Sequence, residues 1–167
     1  MRAVVDAGPV IHLSWIDHLD LLDHLFEEVF LPPAVRDEVL APPPGTLGLE
    51  RVQQALAAGW LRVRAPTRWT QAAPAAAGPL AAGETAALLL AEELGADLVL
   101  TDDAAARAAA RRRDLEVMGT VGVLIEARDH GLIPAAVPLL MELRRLGLWL
   151  SEDLVQTVQQ EERGTSS

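Results

Sequence analysis

Leu98-Val99-Leu100-Thr101-Asp102-Asp103 is a short apolar, β-rich run that stops on two acids. A run of this length bounded by cap-forming residues reads as a buried strand handing over to a helix. The start of the chain repeats the pattern: Ala3-Val4-Val5 is stopped by Asp6-Ala7-Gly8-Pro9, a strand followed by a turn. Further strands are expected at Glu28-Val29-Phe30-Leu31 and Leu115-Glu116-Val117-Met118, with Gly59-Trp60-Leu61-Arg62-Val63 as a short edge strand.

Helical patterns separate these runs. Ile11, Trp15, Leu19, Leu22 and Phe26 recur at helical spacing, so one helix is expected from Val10 to about Leu25. Pro32-Pro33 suits a helix start, with Ala34 to Leu40 carrying the helix until Pro42-Pro43-Pro44-Gly45 breaks it. Leu49 to Ala58 is a further helix, whereas Pro66 to Pro79 has the composition of a loop. Gly83-Glu84 opens an apolar helix that runs to Leu94 and is closed by Gly95. An alanine and arginine helix follows Asp103 to about Arg113, and Thr120 is placed to cap a helix running to Arg128. Pro134 to Leu146 and Ser151 to Gln160 close the chain as two helices, with Glu161 to Ser167 expected to fray. Strands alternating with helices define an α/β fold: a central parallel sheet with helices on both faces and ligands beyond the carboxyl ends of its strands.

Composition narrows the chemistry. The 167 residues contain no cysteine, which excludes disulfides, thiolate metal sites and cysteine nucleophiles. All 14 basic residues are arginine, so neither a Walker-type P-loop nor a lysine Schiff base is possible. The formal charge of -10 repels a polyanion over most of the surface, so contact with nucleic acid has to be local or metal-assisted. An acid at position 6 comes too early for a signal-peptide core, and no apolar stretch reaches the roughly 18 residues of a spanning helix. A soluble, cytoplasmic protein without membrane contact is expected.

The acids at strand ends and helix starts carry the functional reading. Asp6 ends the first strand, although an aspartate before Gly-Pro is also a common turn former. Glu38 shares a helix face with Val35 and Val39 and is therefore aimed toward the core side. Glu84 begins its helix, where negative charge is favoured by the macrodipole without any catalytic role. Asp102 or Asp103 is explained as a helix cap, but one cap does not need two aspartates. Thr101 has a hydroxyl that can orient a carboxylate or a water. A parallel topology brings these positions to one edge, and crowded carboxylates need a compensating cation. Oxygen-only ligation selects Mg2+ or Mn2+, which suits phosphodiester hydrolysis. Arg107 and Arg111, with Arg112 and Arg113, offer positive charge to phosphates on the helix leaving Asp103.

Four segments carry a resemblance to a known family: Val4-Val5-Asp6-Ala7-Gly8-Pro9-Val10-Ile11, Val35-Arg36-Asp37-Glu38-Val39, Gly83-Glu84-Thr85-Ala86-Ala87 and Leu98-Val99-Leu100-Thr101-Asp102-Asp103. Their order resembles the acidic motifs of PIN-domain ribonucleases over about residues 2 to 133, and most closely the VapC-like branch, which residues 119 to 122 also fit. The resemblance implies a Rossmann-like three-layer PIN domain at 1–133, to which the sequence pattern beyond it adds C-terminal helices at 134–160 packed on the same domain and a polar tail at 161–167. It implies metal-dependent endonucleolytic cleavage of single-stranded RNA, commonly by the toxin of a toxin–antitoxin pair, working as a homodimer held by an antitoxin protein. Asp6, Glu38, Glu84 and Asp102 match the four acidic positions, which makes them the catalytic set. Asp6, Glu38 and Asp102 are expected as metal ligands, with Asp103 an auxiliary or alternative to Asp102 and Thr101 in support. Gly8 stands where the family often has serine or threonine, and Glu84 where it often has aspartate.

Two other readings compete. One is a PIN-like scaffold that has kept its acids but holds RNA or a partner protein without cutting. The other is a phosphoacceptor receiver domain, which resembles this chain poorly because that family relies on a lysine. His12, His18 and His24, six residues apart, do not share a helical face and read as ordinary helix residues. Trp15, Trp60, Trp69 and Trp149 are too scattered in sequence to form a base-stacking platform, although Trp69 falls in the loop.

Overall fold

The computed structural model describes residues 1–68 and 80–165. Its strands β1 (Arg2–Val5), β2 (Glu28–Leu31), β3 (Leu61–Val63), β4 (Leu98–Leu100) and β5 (Val117–Met118) form one parallel sheet in the order β3-β2-β1-β4-β5. The chain winds from β1 to β3 on one side, then crosses back to lay β4 and β5 on the other. The order therefore reverses between β1 and β4, where a doubly wound sheet opens a crevice beyond its strand ends. Val5 lies level with Leu100 in this pair, and the Asp6 N–H donates to the Leu100 carbonyl at 2.9 Å. Asp6 and residues 101–103 thus leave the sheet together at that crevice.

Alternation of side chains along the strands divides the interior into two layers. Ala3 and Val5 of β1 face a cluster built with α1 (Ala7–Trp15), α2 (Leu21–Leu25), α3 (Pro33–Leu40) and α4 (Leu49–Ala58), together with α7 (Thr120–Asp129) and α8 (Val137–Leu146). Val4 and Val99 face the opposite cluster, which is covered by α5 (Ala82–Leu94) and α6 (Ala104–Arg111). Both faces of β1 and β4 are buried, as the uniformly apolar Ala3-Val4-Val5 and Leu98-Val99-Leu100 runs require. The α/β three-layer expectation is met, and α9 (Glu152–Thr165) packs beside α8.

Several local expectations are corrected. No turn intervenes after β1, because Asp6 itself caps α1 and Gly8 and Pro9 lie inside the helix. The single helix expected from Val10 to Leu25 is two, since Asp17 takes a left-handed backbone conformation (φ 58°) and ends the first. The cap of α7 is Gly119 and not Thr120, which is the first residue of the helix and whose hydroxyl donates to Asp102. Residues 161–165 do not fray but continue α9, and the Glu162 carboxylate accepts from the Ala136 and Val137 N–H groups at the start of α8, while residues 166 and 167 lie outside the described residues. Most of the 66 to 79 loop, with Trp69, lies outside the described residues.

Candidate active site

At four of the helix starts along the carboxyl edge of the sheet an acid meets the helix end. Asp6 Oδ1 accepts from Ala7 N at 2.8 Å at the start of α1. Glu84 Oε2 accepts from Ala81 N at 2.9 Å before α5, and Asp103 Oδ1 from Ala106 N at 2.7 Å in α6. Asp102 reaches across from β4 to the start of α7, where its Oδ1 accepts from Thr120 N at 2.7 Å. Each acid satisfies orphan N–H groups and meets the positive end of a helix dipole. The converging helix ends also make this edge attractive to an anionic ligand.

Glu38 differs. It sits near the C-terminal end of α3, where the dipole disfavours negative charge, and its carboxylate has neither a hydrogen bond nor an ion pair among the described residues. It shares the face of Val35, as its spacing indicated, but lies at the exposed rim and not in the core. Gly83 explains how α3 and α5 come so close there. A Cβ at Gly83 would stand 3.2 Å from Glu38 Oε2, 3.3 Å from Val35 Cγ2 and 3.9 Å from Asp6 Oδ1. The Asp6 and Glu38 carboxylates therefore flank a single residue that has no side chain to separate them.

The electrostatics separate the acids into two groups. Burial pushes the Asp6 carboxyl up from an ordinary 3.8 to about 6, against the pull of its bonds from Ala7 and Thr101, and the Glu38 and Asp103 charges raise it further. Glu84 is raised mainly by burial, opposed by the Ala81 N–H and assisted by the charges of Asp103 and Asp6. Asp6, Glu38, Glu84 and Asp103 thus feel one another. Thr101 links two of them: its hydroxyl donates to Asp6 Oδ2 at 3.1 Å and accepts from Asp103 N at 3.3 Å.

Asp102 belongs to a different arrangement. Its Oδ2 accepts from the Thr120 hydroxyl at 2.6 Å and lies 2.7 Å from His12 Nδ1. Because a carboxylate only accepts, Nδ1 carries the proton in that contact. Burial works to raise the Asp102 carboxyl, but the His12 and Thr120 donors outweigh it and hold it below the ordinary range. His12, read from sequence as an ordinary helix residue, is an Asp102 partner that also packs edge-on against Trp15 at 5.0 Å. Only the 90-residue separation hid it. Arg107 lies beside Asp102 and donates to the Thr101 carbonyl at 3.4 Å, whereas Arg111 lies one turn farther along α6 in a hollow shared with Asp114 and Glu116.

The donor set suits a hard divalent cation in its chemistry, since it is all carboxylate and its repulsions are uncompensated. Among the described residues, however, no three acidic or histidine side chains stand close enough to hold a metal as they lie. A cation would have to draw the carboxylates inward, and Glu38 at the rim is the one without a bond to give up.

A parallel sheet with helix-capping acids at its switch point defines an α/β protein with an acidic carboxyl edge. A family model described as a PIN domain matches residues 2–163, nearly the full length, and the chain belongs to that family. PIN domains are generally nucleases, which points to nucleic acid as the substrate and hydrolysis as the reaction class. The match continues beyond residue 133, where the resemblance read from the sequence stopped, and takes in α8 and most of α9. No curated protein matches the chain. Among the described residues no helix is long and apolar enough to cross a membrane.

Proposed function

We propose that this chain is a divalent-metal-dependent endoribonuclease acting on single-stranded RNA, with Asp6, Glu38 and Asp103 as its metal-holding carboxylates and Glu84 beside them. The observation that carries the reading is Glu38: an unpartnered carboxylate at the unfavourable end of its helix, brought against Asp6 across Gly83. Folding alone gives no reason to crowd these two acids, whereas a cation between them does. Mg2+ or Mn2+, when bound, supplies neutralisation of phosphodiester charge and a lowered pKa for water.

The chain's own residues orient and confine. Thr101 holds the Asp6 carboxylate in place from the neighbouring strand. Asp102, saturated by His12 and Thr120, ties the β4–α6 connection to α1 and α7 and fixes the edge on which the cluster stands. Arg107 is the closer of the two proposed phosphate contacts, and Arg111 meets only a strand that extends along α6. The toxin role, with an antitoxin partner and a homodimer, rests on the VapC-like motif pattern, and a cytoplasmic location goes with it.

The test is cleavage of short single-stranded RNA with Mn2+ or Mg2+ added to metal-stripped protein. Cleavage should require the cation and disappear in Asp6→Asn and in Glu38→Gln. That no preassembled group of metal ligands stands among the described residues favours one other reading, a PIN scaffold that binds RNA without cutting it. RNA binding that survives Asp6→Asn, with no cleavage under any cation, would establish that alternative.

A further inference from the structure

Asp102 borders a second hollow, of about 520 Å3, that the acidic cluster does not use. Arg107 lines it from α6, Met118 and Gly119 from the end of β5, and Leu148, Trp149 and Leu150 from the connection between α8 and α9. Leu148 and Leu150 pack against the core, so the connection is anchored on both sides of Trp149. The indole between them is 83 % exposed. Tryptophan is rarely left so bare in a folded chain, because its large apolar surface gains from burial. Across the hollow, Arg107 makes no ion pair among the described residues, in a protein with an excess of acid. Gly119 keeps this side open: a Cβ there would stand 2.7 Å from Arg107 Nη1 and 2.8 Å from Asp102 Oδ1.

An exposed aromatic face and an unpaired guanidinium are the two groups by which a single strand is held without sequence readout, the base on the ring and the phosphate on the cation. Resting on the ribonuclease reading above, we infer that this hollow is a nucleotide subsite, with one base of the RNA strand stacked on Trp149 and its phosphate on Arg107. Continuity with the acidic edge through Asp102 favours RNA over another occupant. So does the charge, because elsewhere the surface of a chain with net charge -10 repels a polyanion. The scattered tryptophans do not build a platform together; Trp149 acts alone beside Arg107.

The probe is a short, fluorescein-labelled single-stranded RNA, with binding to the full chain followed by anisotropy in metal-free buffer. Trp149→Ala should weaken binding about tenfold or more, Trp149→Phe should retain most of it, and neither should alter thermal stability appreciably. An RNA lacking one base at the stacked position should lose affinity for the parent chain but little further for Trp149→Ala. With metal present, Trp149→Ala should raise KM more than it lowers kcat. Parent-like affinity and KM in Trp149→Ala, in a chain that binds and cuts RNA, would overturn the subsite and leave the nuclease reading standing. Self-association removed by Trp149→Ala without any change in RNA affinity would give the surface to a second copy of the chain. Failure of the parent chain to bind or cut RNA would remove both readings.

Discussion

Asp6 and Asp102 stand just beyond the paired strands β1 and β4, and their carboxyls are displaced in opposite directions. Asp6 is buried among other acids with two hydrogen bonds to offset them, whereas Asp102 has three donors aimed at it from His12 and Thr120. Neighbouring positions at one edge of the sheet therefore serve opposite ends. Asp6 is held in a state that a cation would relieve, and Asp102 in one that needs nothing further.

Asp6→Asn should stabilise the metal-free protein at neutral pH. A carboxyl raised in the folded state favours folding below its unfolded value of 3.8, and that contribution is lost as pH rises through about 6. The displacement corresponds to about 3 kcal/mol, from which any hydrogen bond weakened by the amide is subtracted. Urea denaturation across pH should show the variant more stable at neutral pH, with the difference closing as the pH approaches 4. A constant difference at every pH would show that Asp6 is not held in a raised state.

Asp102→Asn should do the reverse. A carboxyl lowered by folding stabilises the protein above its unfolded value, and this is lost as pH falls through its folded one. The amide cannot accept from His12 and Thr120 as a carboxylate does, so a loss of about 1–3 kcal/mol is expected at neutral pH, shrinking in acid. His12→Ala should reproduce part of the loss, and in a double-mutant cycle the two changes should be less than additive. Full additivity would mean that the 2.7 Å contact carries no coupling.

The sheet was legible because both faces of its inner strands are buried, which forces continuous apolar runs such as Leu98-Val99-Leu100. Edge strand β3 was legible from its alternation, and α5 from the glycine that closes it at Gly95 in a left-handed conformation (φ 57°). Interruptions were harder to read: Asp17 breaks a helix whose apolar spacing continues across the gap, because the next helix buries Leu21 and Leu22 in the same core. Within the site, spacing identified which acids come to the carboxyl edge but not what each one touches. His12 and Thr120 meet Asp102 through tertiary packing, and no local pattern around either residue encodes that meeting.

Gly83→Ala is a sharper probe of the Asp6–Glu38 approach than removal of either acid. Alanine improves helix propensity by about 1 kcal/mol, but its Cβ would crowd Glu38 Oε2 at 3.2 Å and Val35 Cγ2 at 3.3 Å. Glu38 can swing away at its flexible end, so the fold should survive with stability changed by no more than about 1 kcal/mol. Divalent-cation affinity should fall severalfold, as read by calorimetric titration with Mn2+. Unchanged affinity would mean that Glu38 does not take part in holding the cation.

Cation binding should also decide between the two adjacent aspartates. At about pH 7.5 Asp6 is mostly ionised and free to take Mn2+, whereas at about pH 5 a proton occupies it and competes. Saturating Mn2+, at about 100 times its Kd, should stabilise the chain by about 2.7 kcal/mol at the higher pH. For a chain of this size that is a rise in Tm of roughly 5–10 °C, and little rise is expected at the lower pH. The rise should vanish in Asp6→Asn and Glu38→Gln. Asp103→Asn should also lose it, since Asp103 shares the field of Asp6 and Glu84, whereas Asp102→Asn should keep it on a less stable fold. A rise lost in Asp102→Asn and kept in Asp103→Asn would exchange their roles, leaving Asp103 as the cap of α6 alone and making Asp102 release His12 or Thr120 when the cation arrives.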